Sequence, residues 1–96
     1  MKTEVNTQTV SKNALLIREE QILLLGIPMV YRLHAVEEGE SSRFYISVVA
    51  PNEQCEVDAG SDLLRALGCY RRIVRGSVTP CTLSEIFQDI QYLDEF

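Results

Sequence analysis

The 96-residue sequence predicts an α+β domain: an antiparallel β-meander of four to five strands, then two amphipathic helices packed on one face of the sheet. Three observations predict it. Apolar and polar residues alternate with period two on both sides of a Gly-containing polar turn, from Met29 to Ala50. Gly60 marks a switch from that period to a helical one. Pro80 then precedes Thr82-Leu83-Ser84-Glu85, which has the spacing of a capping box. Hydrophobic residues make up 46% of the chain and charged residues 24%, which places it with globular rather than disordered sequences. Its length fits one domain, residues 1–96, with one core and little room for a deep cleft.

Residues 3–10 are rich in Thr and Val and suit an exposed edge strand. Ala14-Leu15-Leu16-Ile17 and Ile22-Leu23-Leu24-Leu25 are apolar quartets separated by Arg18-Glu19-Glu20-Gln21. A helix over 13–25 would end well at Gly26 and Pro28. Four consecutive polar residues, however, interrupt any stripe a helix could bury. The sequence therefore favours a hairpin, with the polar quartet as its turn. From Met29 to Val36, Met29, Tyr31, Leu33 and Ala35 share one face, and Val30, Arg32, His34 and Val36 share the other. Glu37-Glu38-Gly39-Glu40-Ser41-Ser42 is a turn. From Arg43 to Ala50, Phe44, Ile46, Val48 and Ala50 oppose Tyr45, Ser47 and Val49. Pro51-Asn52 starts another turn, and Glu53 to Ala59 gives a short strand with Cys55, Val57 and Ala59 on one side.

Ser61 or Asp62 caps the first helix. Leu63, Ala66, Leu67, Tyr70, Ile73 and Val74 form its apolar stripe. Arg65, Arg72 and Arg75 lie opposite, with Arg71 at the margin, and Gly76 ends the helix. In the second helix Leu83, Ile86, Phe87, Ile90 and Leu93 form the stripe, and Thr82 and Glu85 are set to satisfy each other's free N–H groups.

The C-terminal half also carries a resemblance. A Tyr-bearing strand pair, a short strand, a helix with Leu63, Leu64 and Leu67, and then Val78-Thr79-Pro80-Cys81-Thr82-Leu83 resemble a family of short bacterial proteins, mainly from Firmicutes, classed as a domain of unknown function. In that family a Val-x-Pro-x-x-Leu segment opens the final helix; Val78, Pro80 and Leu83 match it, across roughly residues 29–93. Thr82 stands where the family has a His. The resemblance implies a fold and no activity.

The formal net charge of −5 disfavours nucleic acid and anionic membranes as partners. The first residues lack the apolar core of a signal peptide, and no run approaches the ~20 apolar residues that span a bilayer. Cys55, Cys69 and Cys81 are odd in number and widely spaced, which argues against a disulfide framework. These features together predict a cytoplasmic location. With His34 the only histidine and no Cys-x-x-Cys pair, neither a zinc site nor any other cofactor is expected.

Arg65, Arg71, Arg72 and Arg75 form the densest charge feature and are candidates for contact with an anion or an acidic partner. The plainer reading pairs them with Glu85, Asp89, Asp94 and Glu95. Cys69 and Cys81 read as small buried apolar groups, and no nucleophile with an oriented base is legible. Tyr45, Tyr92 and Phe96 are candidate interface aromatics. Two helices cover one face of a small sheet, yet Val30, Val36, Tyr45, Val49 and the leucine quartets put apolar groups on both faces. A second copy or another protein is the expected cover. The functional expectation is a non-enzymatic accessory or regulatory protein acting by protein–protein contact, as a homodimer. The alternative is a small-ligand or anion-binding module using the sheet face or the arginine-bearing helix.

Overall fold

A computed structural model of the chain describes residues 14–94. The strand expected over 3–10 lies outside them. Strands β1 (Ala14–Leu24), β2 (Ile27–Glu38), β3 (Ser41–Ala50) and β4 (Glu53–Asp58) form one antiparallel sheet in chain order. Helix α1 (Leu63–Arg75), a 3₁₀ turn (Pro80–Thr82) and helix α2 (Leu83–Asp94) follow. The α+β class and the order of elements are as the sequence predicts.

β1 is neither of the two forms weighed for residues 13–25. Both apolar quartets belong to one 11-residue strand, with the polar quartet running through its middle. Among the described residues β1 is an edge strand, and the helices pack chiefly over β2, β3 and β4. Polar side chains therefore remain solvated on either side of it, and no turn is needed to expose them. Leu16 pairs with His34 and Arg18 with Leu33, so Ile17 is an extra residue, a β-bulge. The chain reverses at Leu25–Gly26, where φ is 52° and 82°. Positive φ at both central residues is the geometry of a type I′ hairpin turn.

Register then sorts the side chains. Met29, Tyr31, Leu33 and Ala35 of β2 and Phe44, Ile46 and Val48 of β3 are buried beneath the helices. Cys55 and Val57 of β4 extend this layer, since they pair with Val48 and Ile46. Burying each large apolar side chain contributes ~1.5–3 kcal/mol.

In α1, the Asp62 carboxylate accepts from the Leu64 and Arg65 N–H groups at 3.0 and 3.3 Å. Ala66, Cys69, Tyr70 and Ile73 form the buried stripe, whereas Leu63, expected in it, is exposed in the first turn. Gly76 does close the helix, but its φ is −85°; the left-handed residue is Ser77, at 51°. The Val78 N–H then reaches back to the Ile73 carbonyl at 3.2 Å. Gly76 matters through space, because a Cβ there would sit 3.2 Å from the Arg72 carbonyl oxygen.

Two buried phenols tie the layers together. The Tyr31 hydroxyl donates to the Val78 carbonyl at 3.0 Å, and the Tyr70 hydroxyl donates to the Tyr31 carbonyl at 3.1 Å. At the start of α2 the capping box is replaced by a threonine pair. Thr82 is the last residue of the 3₁₀ turn, and its hydroxyl lies 3.0 Å from that of Thr79 rather than serving Glu85. The turn also drives Pro80 inward and Cys81 outward, so Cys81 is exposed and is not the buried group expected. Cys69 is buried as expected.

Candidate functional site: the open face of the sheet

The alternate residues of β2, β3 and β4 form a face with no helix over it among the described residues. Val30, Arg32, His34 and Val36 of β2 pair with Val49, Ser47, Tyr45 and Arg43 of β3. Gln54, Glu56 and Asp58 of β4 and Leu16, Glu19 and Gln21 of β1 complete it. Its hollow is a shallow trough of about 940 Å³, floored mainly by Val36, Tyr45, Val49 and His34 and bounded by Leu16 and Glu56. The apolar groups expected on a second face are present, though mixed with charges.

Those charges are largely paired across strands. Arg32 Nε lies 2.6 Å from Glu19 Oε2, and Arg43 Nε lies 2.7 Å from Asp58 Oδ2. His34 Nε2 is 3.6 Å from Glu56 Oε2, and its ring stacks on Tyr45 with centroids 5.8 Å apart. Burial pushes the Asp58 carboxyl up, but the Arg43 guanidinium and the Gly60 N–H outweigh this and hold it below the usual aspartate range. Burial, then the nearby Asp58 and Glu38 carboxylates, push the Tyr45 phenol up, so it stays neutral. The face thus presents apolar atoms and an aromatic hydroxyl between two closed arginine–carboxylate pairs.

Of the three cysteines, Cys55 alone lines the trough together with His34. His34 is on the open face. The Cys55 side chain is on the helix side by its pairing with Val48, and Cys69 and Cys81 belong to α1 and the 3₁₀ turn. Among the described residues no group of three or more His, Cys, Asp or Glu side chains is placed to hold a metal ion. Among the described residues no helix is long and apolar enough to cross a membrane.

The arginines of α1 separate. Arg65 bonds Gln91 of α2 at 3.2 Å. Arg71 and Arg75 turn toward β1, where they line a small groove with Arg18, Glu20, Tyr70 and Val74; Arg65 and Arg72 do not line it. The cross-helix pairing of Arg65, Arg71 and Arg75 with Glu85 and Asp89 does not form. Tyr45 is on the open face as expected. The side chain of Tyr92 and all of Phe96 lie outside what is described.

Sequence reasoning missed two features. Arg18 joins the helix side because the Ile17 bulge inverts the parity of β1, and no residue pattern marks that bulge. Leu25 occupies a left-handed turn position while 94% exposed; the Gly after it was the available signal for the turn. The chain matches no family model, no curated protein and no solved structure.

Proposed function

We propose that this chain is a non-enzymatic accessory or regulatory protein that works through protein–protein contact, with a second copy of itself as the occupant of the open sheet face. One observation carries the reading: the face is apolar between charges that already have partners. Covering it brings Val36, Val49, Tyr45 and the exposed Leu16 out of water while Arg32 and Arg43 keep their carboxylate partners. The face lies near the lower end of the size range of stable interfaces. Four strands ~4.8 Å apart and about ten residues long at ~3.3 Å each give a footprint of roughly 600 Å². Standard protein interfaces bury roughly 800 Å² per partner. A face holding both charge signs suits an isologous contact, in which the same patch meets itself.

Sedimentation and light scattering across micromolar concentrations test this. The expected result is a dimer that Val49→Glu converts to a monomer with unchanged circular dichroism. A wild-type chain that stays monomeric throughout that range overturns the homodimer.

A further inference from the structure

The groove between β1 and the last turns of α1 is separate from the open face and lies on the other side of the sheet. It measures about 220 Å³ and is lined by three arginines, Arg18, Arg71 and Arg75. Arg71 and Arg75 are one helical turn apart, a spacing at which like charges destabilise a helix. None of the three has an ion-pair partner among the described residues, although the chain carries 14 acidic residues. The helix dipole accounts for Arg75, which sits in the last turn. It does not account for Arg18, which the bulge at Ile17 brings round to this side.

Glu20 is the only acid lining the groove, and it is occupied with Tyr70. The Tyr70 hydroxyl donates to the Tyr31 carbonyl at 3.1 Å with the Glu20 carboxylate beside it. Burial, and then Glu20, raise the Tyr70 phenol above its ordinary value, so the ring stays neutral at the base of the groove. The balance of the site is three positive charges against one negative in a chain whose net charge is −5. Pockets for drug-sized ligands run from ~300 Å³ upward, so this one suits a single charged group whose remainder stays outside.

The geometry points to a binding site for a phosphate-sized oxyanion, the phosphoryl group of a small molecule, held by Arg18, Arg71 and Arg75. Arginines that line one groove from a strand and a helix can offer bidentate N–H pairs to phosphoryl oxygens, and each charge-assisted pair is stronger than a neutral hydrogen bond. Free phosphate and a phosphomonoester share this chemistry.

The test titrates the full chain with inorganic phosphate and, separately, with AMP, at constant ionic strength set by chloride. Arginine side-chain NMR and isothermal calorimetry are the readouts. Saturable shifts at the Nε groups of Arg18, Arg71 and Arg75 support the site, and tighter binding of AMP than of phosphate assigns the source to a phosphomonoester. Arg71→Gln and Arg75→Gln are each expected to weaken binding by roughly tenfold. Both side chains are exposed, so the variants retain the fold. The proposal is overturned if neither anion produces saturable shifts at these arginines, or if the double variant binds as the wild type does.

Discussion

The same strands of this sheet carry two faces that differ in what lies over them. On β2, Met29, Tyr31, Leu33 and Ala35 are buried under the helices, while Val30, Arg32, His34 and Val36, one step along, face outward. Among the described residues no charged side chain is buried beneath the helices. The outward face closes its charges into cross-strand pairs and leaves valines and an aromatic between them. Alternation with period two therefore does more here than divide inside from outside. It divides a surface sealed within the chain from an amphipathic one that can be sealed again. A solvated face needs no valine at Val30, Val36 or Val49, and a core face would not tolerate Arg32.

Adjacent valines give the largest test of this contrast. Val48 is fully buried under the helices, and Val49 is half-buried on the open face. Val48→Ala removes well-packed methyl groups and is expected to cost about 2 kcal/mol in chemical denaturation. Val49→Ala should cost less than about 0.5 kcal/mol in dilute protein. Near-equal costs at low concentration would break the contrast. A Val49→Ala penalty that grows with protein concentration would sharpen it, because association stabilises the folded state by mass action.

The tyrosines give a second matched pair. Tyr31→Phe leaves the buried Val78 carbonyl without its donor and is expected to cost ~1–2 kcal/mol. For a domain of this size that is a fall in Tm of roughly 4–8 °C per kcal/mol. The Tyr45 hydroxyl has no hydrogen-bond partner among the described residues, so Tyr45→Phe should leave Tm within about 2 °C. A loss at Tyr45 as large as that at Tyr31 would mean the open face is organised around a polar contact and not around apolar area.

Much of this contrast is legible in the sequence, for a physical reason. Strands β2 and β3 lie in the middle of the sheet, where each face has one environment along its length, so the pattern Met29-Val30-Tyr31-Arg32 records it directly. Helix α1 is legible at Asp62 because a carboxylate before a helix has few other uses for the backbone N–H groups it meets. β1 is not legible. At an edge, polar side chains are tolerated on both sides, and a single inserted residue reverses which side each occupies. Reading Arg18–Gln21 as a turn follows from applying the rule for central strands to an edge. The groove at Arg18 is hidden for the same reason: Arg18 is far in sequence from Arg71 and Arg75, and only the bulge brings it to their side. The exposure of Cys81 and the Thr79–Thr82 pairing depend on a 3₁₀ turn that the capping-box spacing does not distinguish from the first turn of an α-helix.

The hairpin tip between β1 and β2 extends the comparison to the part of the molecule with no helix above it. Leu25 is 94% exposed at φ 52°, a region that disfavours branched side chains, and it is flanked by the exposed Leu23 and Ile27. Asparagine is the preferred residue at this position of a type I′ turn before glycine. Leu25→Asn should therefore stabilise the chain by ~1 kcal/mol, since a left-handed non-glycine residue is worth roughly that much strain. Thermal denaturation at low concentration is the measurement. The same substitution removes an apolar group from the uncovered region, so weaker association alongside the higher Tm would place the tip within the contact surface. Unchanged association would confine that surface to the strands. A fall in Tm would show that the Leu25 side chain makes stabilising contacts despite its exposure, and that the uncovered region is better packed than its surface suggests.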